Sequence, residues 1–219
     1  MNTALLHNEP ELFYSIQGEG SRAGCPAVFL RLAGCNLSCA WCDTKYSWGR
    51  GGAVPEPELA SRIMSFQSPG LVITGGEPLL QTPAIERLLA LLPPNLFIEI
   101  ETNGTIVPTP RLAARVNQWN VSPKLGHAGN KAETINKEAL AAFAATGKAY
   151  FKFVVQQEQD WQSIANLHLP QDRIILMPCA ATLAQLQQAR ETVVNMCLLH
   201  RVRYGDRLHV AIWGDKKGV

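Results

Sequence analysis

The chain has 219 residues, 47% hydrophobic and 17% charged, which is enough apolar material for a real core in one domain or two small ones. A net charge of only +2 excludes the concentrated basic surface that a nucleic-acid or anionic-membrane binder needs. No apolar run approaches the roughly 18 residues that span a bilayer, and residues 1–10 show no signal-peptide pattern, so a cytoplasmic protein without membrane partner is expected.

Apolar, β-rich runs recur along the chain with helix-like segments between them. The runs predict strands over residues 28–33, 71–74, 96–101, 119–122, 150–155, 173–177 and 208–213. Apolar spacing near 3.6 predicts helices over 57–66, 83–92, 110–117, 137–146, 159–167 and 183–201. Pro83 and Pro110 suit a first helical turn, where the missing N–H costs nothing, and Gly147 suits a helix stop. Strict alternation implies an α/β fold with a mostly parallel sheet of six or seven strands, either open or a partial (β/α) barrel. In such folds the loops after the strand C-termini carry the chemistry. Those loops hold a cysteine cluster, Thr74-Gly75-Gly76-Glu77-Pro78, Glu101-Thr102-Asn103-Gly104-Thr105, Ser122-Pro123-Lys124 and Met177-Pro178-Cys179. Singly, each reads as an ordinary turn or a solvated charge; five on one rim do not.

Of six cysteines, three stand together as Cys35, Cys39 and Cys42. Random placement would produce this C-x3-C-x2-C spacing with odds of about 0.004. Three thiolates on one short loop can reach one metal centre. Structural zinc usually takes four ligands in paired half-sites, and no second half-site accompanies them. A [4Fe–4S] cluster held by three cysteines keeps one iron open to a small molecule. An iron–sulfur centre with a free site, zinc and unliganded thiols are the three readings of the spacing alone. Cys25, Cys179 and Cys197 read as ordinary buried thiols. The five histidines show no metal spacing, and His209, in a predicted apolar strand, reads as structural.

C-x3-C-x-aromatic-C, with Trp41 as the aromatic, and the Gly75-Gly76-Glu77-Pro78 segment resemble the signature of the radical S-adenosylmethionine (SAM) superfamily. Gln17-Gly18-Glu19-Gly20, Arg31, Cys42-Asp43-Thr44, Ser122-Pro123-Lys124 and the segment Trp213-Gly214-Asp215-Lys216-Lys217-Gly218-Val219 resemble, more narrowly, the 7-carboxy-7-deazaguanine synthase family. The likeness runs from about residue 11 onward. It implies a partial (β/α) barrel of the radical SAM type: one domain over residues 1–219, with an N-terminal substrate-binding segment and a C-terminal tail closing the site. The implied reaction is the radical ring contraction of 6-carboxy-5,6,7,8-tetrahydropterin to 7-carboxy-7-deazaguanine with loss of ammonia, on the route to queuosine.

The resemblance also implies roles. Cys35, Cys39 and Cys42 would hold a [4Fe–4S] cluster. Trp41, Asp43, Gly76, Glu101, Asn103, Ser122, Pro123, Lys124 and Met177 would contact SAM. Ile16, Gln17, Gly18, Glu19, Arg31, Thr74 and Val219 would bind the pterin, an amide matching its edge and a guanidinium forking onto its carboxylate. Thr44 would ligate Mg²⁺, its hydroxyl being a hard oxygen donor; the bland alternative is that Asp43-Thr44 caps the helix-like stretch that follows. Relatives carry Leu-Gln-Pro where this chain has Leu176-Met177-Pro178, which leaves backbone contacts to SAM there. A flavodoxin-like electron donor and a homodimer are implied as partners. Two rival readings are a glycyl-radical activase, which would not need the Gln17–Glu19 and Arg31 constellation, and a zinc-binding interaction module, which iron and acid-labile sulfide content would exclude.

Overall fold

The computed structural model describes residues 1–130 and 134–219. Short N-terminal strands β1 (Asn2–Thr3), β2 (Leu5–Leu6) and β3 (Glu9–Pro10) precede β4 (Leu12–Ile16), which pairs antiparallel with β5 (Pro26–Leu32). After β6 (Gly52–Ala53), the chain alternates regularly: α1 (Glu56–Ser65), β7 (Gly70–Gly75), α2 (Thr82–Leu91), β8 (Phe97–Thr102), α3 (Pro110–Arg115), β9 (Gln118–Val121), α4 (Lys137–Ala145), β10 (Ala149–Val155), α5 (Asp160–Ala165), β11 (Ile174–Pro178), α6 (Leu183–His200), β12 (Arg203–Tyr204) and α7 (Leu208–Trp213).

Seven strands from β5 to β12 pair parallel in unbroken sequence order, and β1 and β6 extend the β5 edge. Sequential order means that no strand position reverses the winding. Each crossover therefore adds its helix on the same side, and the sheet's natural twist curls it into an open, partial barrel. The architecture is the expected one, with one correction. Residues 208–213 form helix α7 rather than the last strand; their amides bond four residues back, Ala211 N to Arg207 O at 2.9 Å and Gly214 N to Val210 O at 3.0 Å. The edge of the sheet is already taken by Arg203–Tyr204, too short to be seen in the sequence pattern, and Val210 packs instead with Ala180 and Leu186.

Period-two alternation sorts each strand's side chains. Val28, Leu30 and Leu32 of β5, Leu71 and Ile73 of β7, Ile98 and Ile100 of β8, Trp119 and Val121 of β9, and Phe151, Phe153 and Val155 of β10 share one core with Leu59, Leu88, Leu112 and Phe143 from the helices. The intervening residues face the concave side, where the apolar cluster is small: Ala27, Phe29 and Val72, with Phe13 packed on it. Helix starts follow the local chemistry: Asn136 caps α4 through Ala139 N, and Thr182 with Gln185 forms a reciprocal capping box on α6. Gly147, at φ +67°, stops α4 as expected.

Candidate active site

On the concave side, residues that alternate with the core strands bring a polar column together: Arg31 of β5, Thr74 of β7, Glu101 of β8, Asn120 of β9 and Lys152 of β10. They line a cavity of about 710 Å³ whose rim is formed by the loops at the strand C-termini.

The cysteine loop makes one wall. Cys35, Cys39 and Cys42 are all free thiols, and all three line the cavity. The loop is held by backbone bonds from Gly34 N to Ser47 O (2.7 Å) and from Ala40 N to Ala128 O (2.9 Å). Two sulfurs accept hydrogen bonds, Cys35 Sγ from Leu37 N at 3.4 Å and Cys39 Sγ from Asn130 Nδ2 at 3.0 Å. Such donors suit sulfurs that carry negative charge as cluster ligands. Burial raises the Cys35 thiol, which favours its protonated form in the absence of a metal.

The glycine segment closes on this loop. Glu77 N donates to Gly34 O at 2.8 Å, and a Cβ on Gly76 would fall against Gly34 O and, at 2.7 Å, against Cys35 Cβ. Only glycine lets the backbone come this near. Glu77 itself is fully buried and ties the segment to the end of β8, accepting from Leu79 N, Asn103 N and Thr102 Oγ1 at 2.9, 2.7 and 2.8 Å. Burial pushes its carboxyl above the usual range.

Charges are paired across segments distant in sequence. Lys152 lies 3.1 Å from Glu19 and 3.6 Å from Glu101. Arg207, just before α7, pairs with Glu19 at 3.0 Å and with Asp43, and donates to Ala180 O. Burial opposes the charge on Glu19, but Lys152 and Arg207 outweigh it and hold the carboxyl well below the usual range. Burial likewise opposes the charge on Asp43, and Arg207 lowers it. Arg31 Nε binds Glu11 at 2.9 Å, and Tyr46 donates to the same carboxylate. Lys124 donates to Ser122 Oγ at 2.8 Å and sits 5.4 Å over the Trp41 ring; burial lowers its pKa.

Of the residues expected from sequence, Ile16, Gln17, Gly18, Glu19, Arg31, Cys35, Cys39, Trp41, Cys42, Asp43, Thr44, Thr74, Gly76, Glu101, Asn103, Ser122, Lys124 and Val219 all line this one cavity. Pro123 and Met177 do not: Met177 is buried against Gly205, and Pro178, Cys179 and Ala180 meet the cavity instead. Thr44 makes no capping bond with its side chain, whose Oγ1 lies 3.7 Å from Cys42 Sγ. The Gln17 amide is already engaged, donating to Glu99 at 2.5 Å and to Glu101 at 3.2 Å while accepting from Glu19 N. Glu11, Tyr46, Asn120, Lys152, Arg207 and His209 are among the cavity residues that the sequence did not single out as part of the site. His209 belongs to α7, not to a strand, and Cys179 is a half-buried wall residue that accepts from Gln156 rather than a core thiol. For Lys152 a signal existed: a lone charge in phase opposite to Phe151 and Phe153 inside an apolar strand.

A three-thiol loop after the first parallel strand, backed by a glycine segment on a partial barrel, defines the class: residues 30–148 match the radical SAM superfamily, and the chain belongs to it. Similarity extends much further than that segment. The chain is 37% identical over 216 residues to the 7-carboxy-7-deazaguanine synthase of Pyrobaculum aerophilum, covering 95% of each, and 35% identical to that of Halobacterium salinarum, covering 94% of this chain and 90% of the relative. The crystal structure of QueE from Escherichia coli superposes with a TM-score of 0.68 at 27% identity, covering 90% of this chain and 92% of that one. The chain is a member of the 7-carboxy-7-deazaguanine synthase family.

Proposed function

We propose that the chain catalyses the radical, Mg²⁺-assisted contraction of 6-carboxy-5,6,7,8-tetrahydropterin to 7-carboxy-7-deazaguanine, with loss of ammonia, in 7-deazapurine biosynthesis. One observation carries this reading: the three free thiols and the Gln17–Glu19 and Arg31 constellation share a single cavity in a chain matched almost throughout by synthases of that name. A glycyl-radical activase or a zinc module would not need that second constellation.

When bound, the [4Fe–4S] cluster and SAM supply reductive cleavage of a sulfonium bond and hydrogen abstraction. The protein's share is placement. Cys35, Cys39 and Cys42 hold the cluster, and Gly76 lets the backbone approach SAM. Lys124, Ser122, Trp41, Asn103 and Glu101 offer polar and aromatic contacts to it from neighbouring loops. Glu11 engages Arg31 through Nε, which fixes the guanidinium while its two Nη groups remain to fork onto a substrate carboxylate. Thr44 is the Mg²⁺ ligand, beside the cysteine loop. Thr74 donates to Glu101 at 2.9 Å and offers its hydroxyl oxygen to the pterin. Because Gln17 spends its side chain on the sheet, the adjoining backbone of residues 16–19 faces the pterin. Residues 214–219 line the same cavity, which supports a C-terminal tail that closes the site. A flavodoxin-like protein delivers the electron, and the enzyme works as a homodimer. Among the described residues, no helix is long and apolar enough to cross a membrane.

The test is anaerobic: reconstitute the cluster, add reductant, SAM, Mg²⁺ and carboxytetrahydropterin, and look for 7-carboxy-7-deazaguanine by mass. Product formed with SAM largely unconsumed is the expected result. Cleavage of SAM to 5′-deoxyadenosine without deazaguanine would move the assignment to another substrate.

A further inference from the structure

Glu99 sits on the concave face of β8 with 1% of its surface exposed, one layer beneath the cavity. Its Oε1 accepts from Gln17 Nε2 at 2.5 Å and from Asn120 Nδ2, while Oε2 faces Arg22 Nε at 3.5 Å. The Arg22 guanidinium also lies 3.9 Å over the Phe97 ring. Gln17 and Arg22 are the two ends of one loop. Between them Gly20, at φ +74°, rests on the Asn120 side chain, where a Cβ would stand 3.0 Å from Oδ1. The loop's stem is closed by Gln17 N to Cys25 O and Gly24 N to Gln17 O, each 2.8 Å. One buried carboxylate thus pins both arms of the segment that forms the pterin wall.

We propose that Glu99 is a positioning residue whose ionised carboxylate anchors the loop of residues 17–22, so that substrate affinity follows the charge state of this one side chain. The inference rests on the functional reading above. The groups facing Glu99 are Glu101 on its own strand, Gln17 and Arg22 from the loop, Asn120 and Gln118 of β9, and Lys152 of β10. Burial, and then Glu101, push its pKa up to about 7 against the pull of Gln17, Lys152 and Arg22. Oε1 already takes two amide donors, so a proton must settle on Oε2. There it faces the Arg22 N–H, donor against donor, and the second arm of the loop is released. Protonation therefore loosens the loop. It also relieves the cost of a buried charge, so folding stability moves the other way: with a raised carboxyl pKa, the native state binds the proton more tightly and loses stability as pH rises from about 4.5 towards 7.

The experiment compares wild type with Glu99→Gln, a near-isosteric copy of the protonated acid, both cluster-loaded. Amide hydrogen exchange of residues 17–24, corrected for intrinsic rates, is measured at pH 6 and pH 8 without substrate. Protection in the wild type should fall at pH 6, and in Glu99→Gln it should be low at both. The KM for carboxytetrahydropterin should rise about tenfold from pH 8 to pH 6 in the wild type, as the ionised fraction falls to about a tenth. It should be high and flat in the variant, with little change in kcat. Glu99→Gln should nevertheless melt above wild type at pH 8, and Glu99→Asp should restore part of the pH dependence. Loop protection that ignores pH, or a variant that keeps the wild-type KM profile, overturns the proposal. So does a variant that loses stability and affinity together, the mark of a merely structural residue. A loop that responds as expected in a protein that turns over no pterin at any pH leaves the anchor standing and sinks the functional reading instead.

Discussion

The two faces of one curled sheet make an instructive contrast. The convex face of β5, β7, β8, β9 and β10 is almost wholly Val, Leu, Ile, Phe and Trp, sealed under helices. The concave face of the same strands carries Arg31, Thr74, Glu99, Glu101, Asn120 and Lys152, with only a small apolar cluster beside them. Neighbouring residues in a strand thus serve opposite ends: one phase of each strand builds the fold, the other lines the cavity. Burial helps both faces. On the convex face it contributes hydrophobic stabilisation, and on the concave face it excludes the water that would otherwise weaken every ion pair.

Substitutions should separate the faces. Cys39→Ala removes one of the three thiols proposed to hold the cluster, and the expected result is loss of product together with a collapse of iron and acid-labile sulfide content in the reconstituted protein. Phe153→Ala, on the convex face and fully buried, should cost about 3–5 kcal/mol in urea unfolding. Whatever fraction remains folded should keep its KM, since Phe153 touches no cavity residue's work. Arg207→Ala, on the concave side, leaves Glu19 and Asp43 facing each other's charge without a cation between them. About 2–3 kcal/mol should be lost, less than for a fully sealed pair because all three side chains keep some exposure. Its pH signature is specific. Glu19 and Asp43 are held below their ordinary values of 4.5 and 3.8, so their stabilisation is present above those values and is lost as pH falls further. Acid unfolding curves should show the wild type losing more stability below pH 4.5 than Arg207→Ala does. At the small end, Arg87→Ala breaks an exposed pair with Glu56 at 2.6 Å, on neither face, and should shift stability by under about 1 kcal/mol with no change in kinetics.

Much of this was legible in the chain. The convex face wrote itself as apolar runs, and Pro83, Pro110 and Gly147 marked helix ends through backbone constraints that need no tertiary context. The cysteine loop was legible for the same reason: its spacing is local. What escaped was whatever depends on a remote partner. Residues 208–213 alternate well enough for a strand, and only the occupation of the sheet edge by Arg203–Tyr204 leaves them to coil into α7. Gln17 is a natural pterin contact by its chemistry, yet Glu99 and Glu101, more than 80 residues away, claim its amide. Arg207 has no local signal at all, because its meaning lies in Glu19 and Asp43. The β-branched and aromatic neighbours of Glu99, Asn120 and Lys152 did carry a hint, since a polar residue recurring in one phase of an apolar strand has to face something other than a core.

The Arg207 clamp also bears on how the molecule comes into being. Its two ion pairs join residues 188 and 164 positions apart, among the longest separations in the structure. Loop-closure entropy rises with separation, so such contacts form late, after the locally connected β–α units have docked in turn. The wall formed by Arg207 is therefore expected to be the last part of the cavity to close, and until it does the three thiols stay open to solvent.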